Sequence, residues 1–258
     1  MNKIRDIYQY RTMIASLIRR DLRGRYKGSV LGFAWTFVNP LLQLLVYTVV
    51  FSIIMRAGIE DYYLFLFVAL IPWIFFSESL VSGASCIRAQ QEMVKKIYFP
   101  REVLPISQVT SRLVNMLLSL LVVLAVLLIS GKGINLAVLP YLIPVVLVEY
   151  MLVLGIAFIA SAVTVYFRDL EYILGIVSMA WQFLTPVMYS VEMVPEELRS
   201  IFMANPMTSV IIAYRDILYY KQAPHMQTLL LATVFGIGLL IVGWFVFGRL
   251  EKHFVEEL

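Results

Sequence analysis

Long apolar runs dominate this chain, and polar positions appear as short interruptions between them. Six runs cover roughly residues 30–55, 62–87, 103–130, 136–166, 171–190 and 227–248. Each is near or above the ~20 residues that a helix needs to cross hydrocarbon. Backbone groups inside lipid must be satisfied within the segment itself, so runs of this length predict helices. The fourth run is too long for one straight span, and Pro140 and Pro144 predict an interfacial lead-in before the span proper. The fifth is the shortest and carries Pro186, which predicts a kinked or broken outer end.

Three polar stretches break this pattern in different ways. In residues 1–28, Ile7, Tyr10, Met13, Ile14, Leu17, Ile18 and Leu22 recur at helical spacing while arginines fill the opposite face. This predicts an amphipathic helix, either lying in the membrane surface with its basic side towards anionic head groups or docked on a soluble partner. The stretch from Arg88 to Pro105 is the longest polar interruption in the first half. Its first part predicts a short helix with Gln91, Glu92, Lys95 and Lys96 at i, i+4 spacing on a charged face, stopped by Pro100 and Pro105. On pattern alone it reads as a solvated loop or as a docking handle for a cytoplasmic partner. The third stretch, 191–226, is too long for a turn and too apolar for a solvated loop. Pro195-Glu196-Glu197 resembles a helix start and Asn205-Pro206 a turn. Two short helices are predicted, either re-entering the outer leaflet or lying on its surface.

Together these elements predict a single transmembrane domain over residues 1–258. The fold class is an all-α membrane protein with six transmembrane helices, an N-terminal amphipathic interface helix and a re-entrant external helical hairpin between spans five and six. Composition agrees: 61% of residues are hydrophobic and 15% charged, against about 25% charged in soluble domains. The basic, polar N-terminal stretch argues against a cleavable signal peptide and leaves the first apolar span as the insertion signal. With both termini on one side, 16 of the 21 Lys and Arg residues fall in inner segments and only Arg56, Lys132, Arg199, Arg215 and Lys221 outside. The positive-inside rule then predicts cytoplasmic termini and a cytoplasmic Arg88–Pro105 segment.

Candidate chemistry is sparse. A single cysteine and two histidines leave no material for a disulfide framework or a histidine-rich metal site. No G-x-x-x-x-G-K-[ST] loop is present, so the chain lacks the usual phosphate cradle for ATP. Glu78 and Glu149 are the only acids well inside apolar runs. Each is either satisfied by a neighbouring helix or part of a proton relay. On the first span Phe33, Phe37, Leu44, Tyr47 and Phe51 share one helical face, and Trp181, Phe183 and Tyr189 mark the fifth. Such stripes serve packing and interface anchoring, or stack on the C–H faces of sugars without demanding one hydroxyl pattern.

Several short segments in a fixed order carry a family resemblance: Arg25-Tyr26-Lys27-Gly28-Ser29-Val30-Leu31-Gly32 leading into Trp35, then Asn39-Pro40, Ile97-Tyr98-Phe99-Pro100-Arg101-Glu102 and Tyr166-Phe167-Arg168-Asp169. Thr185-Pro186-Val187-Met188-Tyr189-Ser190, Asn205-Pro206 and Tyr214-Arg215-Asp216 complete the order. The chain resembles the permease subunit of type-2 ATP-binding-cassette exporters, in the class that moves O-antigen, capsular polymer or teichoic acid. The resemblance implies a multi-pass protein of a bacterial or archaeal cytoplasmic membrane, not itself an enzyme. ATP and magnesium would sit on a separate nucleotide-binding ATPase subunit present in two copies. Residues 88–101 would be the coupling helix, with Gln91, Glu92, Lys95, Lys96, Tyr98, Phe99 and Arg101 facing that partner and Arg168 and Asp169 a lesser contact. Two copies of the chain would form the channel, lined by Phe33, Phe37, Tyr47, Phe51, Trp181, Phe183 and Tyr189. The 191–226 hairpin, through Asn205, Pro206, Tyr214 and Arg215, would be the external gate. Arg19, Arg20, Arg23, Arg25 and Lys27 would guide the head group of a polyprenyl-diphosphate-linked polysaccharide at the membrane lipid surface. No nucleic acid partner is implied. The alternatives are a drug or peptide exporter permease of the same superfamily and an ATP-independent secondary transporter.

Overall fold

The computed structural model describes residues 3–24, 28–54 and 58–258. Among these residues every regular element is helical. The N-terminal stretch forms two helices, α1 (Lys3–Gln9) and α2 (Arg11–Gly24), with Tyr10 at the joint. The first span is α3 (Trp35–Thr48), entered through a 3-10 turn and continued by a wider π turn over Val49–Ile54. Next come α4 (Tyr62–Ala89), α5 (Gln91–Lys96) and α6 (Val103–Ile129). A 3-10 turn at Leu139–Tyr141, containing Pro140, leads into α7 (Leu142–Tyr166). The chain closes with α8 (Leu170–Phe183), α9 (Glu196–Ala204), α10 (Pro206–Leu218), α11 (Met226–Leu250) and α12 (Phe254–Glu257).

Among the described residues five helical segments are long and apolar enough to cross a membrane: Gly32–Ile54, Tyr62–Ala89, Val103–Ile129, Leu139–Tyr166 and Met226–Glu257. The run expected as a sixth crossing, 171–190, differs from the expectation. Its helix, α8, has 14 residues and stops at Phe183. The cause is local: Pro186 has no N–H to continue the helix, and a proline disfavours the α conformation at the residue before it. The short helix expected from Arg88 is also shorter, because α4 runs on to Ala89 and α5 holds only Gln91–Lys96.

The middle of the molecule is α4, with α6, α7, α3, α8 and α10 arranged around it. Of its most apolar stretch 78% is buried within the chain, against 6% for the first span. On one flank α7 and α11 pack backbone to backbone through glycines. A Cβ on Gly155 would lie 2.6 Å from the Leu239 carbonyl carbon, so only hydrogen fits there. Small residues let membrane helices approach this closely and gain dispersion contacts in place of a hydrophobic driving force.

Polar contacts sort the element ends into two groups. At one end Lys3 bonds Glu102 and Glu251, Arg88 bonds Glu171, and the Tyr166 hydroxyl donates to the Leu250 carbonyl. At the other end Lys132 pairs with Glu60 and Asp61, the Tyr219 hydroxyl donates to the Glu60 carbonyl, and Asn135 donates to the Lys221 carbonyl. Lys132 holds its proton above the usual lysine range because Asp61 and then Glu60 bond it. Both chain ends therefore gather at the first of these faces.

Candidate coupling surface and translocation face

The helix α5 begins at the bend where α4 ends and is held by buried Val94 and half-buried Met93. Its remaining face is polar and solvated: Gln91, Glu92, Lys95 and Lys96 are exposed, and Lys96 pairs with Glu92 at 2.6 Å one turn apart. The segment that follows alternates. Tyr98 is 88% exposed while Phe99 is buried, with Arg101 6.0 Å above its ring and donating to its carbonyl at 3.3 Å. Phe99 thus anchors the segment from within and does not face outwards beside Tyr98. Arg168 and Asp169 lie exposed in the turn between α7 and α8. The Arg88–Glu171 pair at 3.4 Å ties the start of α8 to the end of α4, so this turn and α5 share one face.

Of the arginines expected to guide a head group, Arg19, Arg20 and Arg23 are exposed on α2; Arg25 and Lys27 lie outside the described residues. Arg20 borders a cavity of about 480 Å³ between α2, α4 and α6, whose polar lining includes Gln90, Gln108 and Arg112. Arg112 is a residue that counting charges along the sequence assigned to the loop. It stands instead inside α6, ion-paired with Glu78 of α4. The pair borders a small polar cavity of about 40 Å³ against Trp35, Thr36 and Asn39 of the first span and Asn115 of α6. The signal available in the sequence was that Glu78 and Arg112, of opposite charge, lie about three and about two turns from the same polar segment.

The aromatic residues divide. Phe33 and Phe183 present exposed rings. Tyr47 and Phe51 are half-buried against the core, Phe51 stacking on Tyr62 at 6.1 Å. Phe37 meets Phe33 edge-on at 5.6 Å, and Trp181 meets Phe76 at 5.0 Å. Tyr189 donates its hydroxyl to the Phe183 carbonyl at 2.6 Å, closing the irregular turn that ends α8.

Of the four residues expected in an external gate, Tyr214 and Arg215 are buried and Asn205 and Pro206 half-buried. Asn205 caps α10 by accepting from the Met207 N–H at 3.1 Å, and donates to Thr185 Oγ1 at 2.9 Å and the Leu184 carbonyl at 3.3 Å. Pro206 occupies the first position of α10, where its missing N–H costs nothing. Tyr214 is fully buried and donates to Glu149 Oε2 at 2.7 Å, which joins α10 to the middle of α7. Arg215 is buried under four carbonyls: Pro186 at 2.5 Å, Val187 at 2.7 Å, Tyr189 at 3.2 Å and Phe65 at 3.4 Å. Its guanidinium carbon also lies 3.5 Å from the centroid of the Phe65 ring. Pro186, Val187 and Tyr189 lie in the irregular stretch after α8 and Phe65 in the first turn of α4, and a planar fork of donors collects all four carbonyls at once. Tyr62 completes the join by donating to the Met188 carbonyl at 2.7 Å. With Glu171 beside Arg88 and Met188 beside Tyr62, α8 and the turn after it run the whole length of α4.

Among the described residues no group of three or more His, Cys, Asp or Glu side chains comes together to hold a metal. What the arrangement offers is a charged face at one end and half-packed helices along the side.

Residues 12–219 match the model of the ABC-2 type transporter membrane family. The chain belongs to that family. Among its relatives, an O-antigen export system permease protein, RfbA of Myxococcus xanthus, is 37% identical over 99% of this chain and 98% of its own length. RfbA of Klebsiella pneumoniae is 32% identical over 95% of both chains. The polysialic acid transport protein KpsM of Escherichia coli is 25% identical over 79% of this chain and 80% of its own. The ABC-2 match begins after α1 and ends before α11, so the cluster of Lys3, Glu102 and Glu251 joins one residue within the matched segment to one on either side of it.

Proposed function

We propose that this chain is the channel-forming permease subunit of an ATP-driven exporter that moves lipid-linked polysaccharide, such as O-antigen, capsular polymer or teichoic acid, across the cytoplasmic membrane. The observation that carries the reading is the near-full-length likeness to O-antigen export permeases. The structure supports it in three ways. The exposed face of α5 with the Arg168–Asp169 turn beside it offers one charged contact face for a separate ATPase subunit. The first span and α8, each with few buried residues, both pack against α4 and leave Phe33 and Phe183 uncovered. A second copy of the chain closing over these helices would enclose a path whose walls stack on sugars. The run through α8 and the turn after it then counts as a sixth crossing, which an even number of crossings requires once both chain ends share a face. Positive charge favours that face as the cytoplasmic one. In this reading α9 and α10 re-enter from outside and close the path, while Arg19, Arg20 and Arg23 attract the diphosphate of the carrier lipid.

Depletion of the chain in its host tests the proposal directly. Polymer trapped inside on its lipid carrier with a bare surface is the expected result. A normal surface polymer would remove the cargo assignment and leave export of another substrate by the same superfamily as the reading to pursue.

A further inference from the structure

We propose that the polar cavities beside α6 form one water-filled inlet. It runs from the face where both chain ends gather, between α2, α4 and α6, into the membrane as far as the first span. The inference goes beyond the exporter reading and does not depend on the cargo. Its first support is a pattern inside two apolar spans. On α4, Glu78, Ser82 and Ser85 follow one another at intervals of 4 and 3. On α6, Gln108, Arg112, Asn115 and Ser119 follow at intervals of 4, 3 and 4. Such intervals put each set on one face of its helix. Within a membrane, a face carrying ionisable groups turns to the bundle interior or to a water-filled cavity. Here the two stripes line two cavities. The larger, of about 480 Å³, is bordered by Ser82, Ser85 and Gln108. The smaller, of about 40 Å³, is bordered by Glu78, Asn115 and Ser119, with Thr36 and Asn39 of the first span. Arg112 lines both and so stands at the passage between them.

The chemistry of the lining selects the occupant. Arg20 and Arg112 are matched by Asp21 and Glu78, so the charges along the two cavities cancel and favour neither an anion nor a cation. Water suits both signs. The Glu78 and Arg112 side chains stay 39% and 18% exposed, although they stand about three and two turns inside their spans. Hydrocarbon would be a costly neighbour for an ion pair at that depth, and water is not. Thr36 Oγ1 and Asn115 Oδ1 are buried with no hydrogen-bond partner among the described residues, a cost that bound water relieves. Both residues border the smaller cavity, whose volume exceeds the roughly 10–15 Å³ that one water needs. The direct polar link between the first span and α6 is long at this level, Ser119 donating to the Thr36 carbonyl at 3.4 Å. The inlet therefore keeps an ion pair charged inside a span. It also gives the inner end of the first span a wet contact with the core, where α7 and α11 share a dry one.

Brief X-ray radiolysis of the chain in lipid vesicles tests the inlet on the unaltered protein, because hydroxyl radicals made from bound water oxidise a methionine sulfur beside it. Met116 borders the smaller cavity and is 3% exposed, while Met207 of α10 is fully buried away from both cavities. Met116 is expected to become the sulfoxide about tenfold faster than Met207. Continuity is tested with single cysteines in a Cys86→Ala background and a small water-soluble methanethiosulfonate. A thiol reacts as its thiolate, which forms where water solvates it, so Ser85→Cys and Asn115→Cys should each react about tenfold or more faster than Val123→Cys. Val123 is 1% exposed and lies about two turns further along α6. Met116 as protected as Met207 overturns the inlet. Asn115→Cys as inert as Val123→Cys also overturns it, since water would then stop at the larger cavity. Neither readout involves transport, so the exporter reading can fail while the inlet stands.

Discussion

The two flanks of α4 are built on opposite principles. On one side α7 and α11 meet through Gly155, Gly236 and Gly243, with backbone against backbone and no space for a methyl group at Gly155. On the other, the first span and α8 lean on α4 with half-buried aromatics and leave most of their apolar surface uncovered. Gly175 of α8 makes the contrast concrete, since a Cβ there would meet nothing within 4 Å. Close-packed interiors resist deformation and transmit strain. A wall of aromatic rings can separate and re-close at little cost. The molecule therefore pairs a rigid half with a half free to rearrange, and the proposed channel belongs to the second.

The sharpest way to break this comparison is to overpack the rigid half. Gly155→Leu is expected to cost about 3 kcal/mol or to prevent folding outright, read as lost yield of monodisperse protein. Gly175→Ala should stay within about 0.5 kcal/mol of wild type in the same denaturation series. Equal effects at both glycines would erase the distinction between the flanks. Next in size is Arg215→Met, which strips donors from four carbonyls and should destabilise the 184–190 turn by about 2–4 kcal/mol. Hydrogen exchange across that turn is the measurement. Arg215→Lys should rescue it poorly, because a point charge does not reproduce the guanidinium fork. A smaller effect is expected at the exposed face of α5. Lys95→Glu with Lys96→Glu should leave stability unchanged and lower partner-dependent ATP hydrolysis about fivefold; undiminished hydrolysis would sink the assignment of that helix as the handle. Smallest of all is Glu149→Gln. The amide retains an oxygen to accept from Tyr214, so transport should remain close to wild type. Lost transport with normal expression would instead revive an ATP-independent transporter.

The apolar spans and the Asn205–Pro206 joint were legible because their signals are local. Length and hydropathy mark a span, and a proline after an asparagine marks a helix start. What stayed hidden depends on which faces meet. Arg215, expected in a gate on the strength of its motif alone, is needed where the chain breaks at Pro186, 29 residues upstream. Arg112 reads as a cytoplasmic charge until α4 and α6 align and bring Glu78 to it. Phe99 sits in the coupling motif, but alternation along an extended segment turns it inwards while Tyr98 turns out. Lys3 gave no sequence signal at all, since its two acids are 99 and 248 positions away.

The early stop of α8 has an electrical consequence. A 14-residue helix is about 21 Å long, while the hydrocarbon layer is about 30 Å thick. Beyond Phe183 the chain presents an irregular backbone whose carbonyls are already claimed by Arg215, Asn205 and Tyr62. A notch in the membrane's insulation follows at that end of α8, with those carbonyls already bonded. For a cargo wrapped in water, the low-dielectric stretch still to be bridged is thinner there than the bilayer around it.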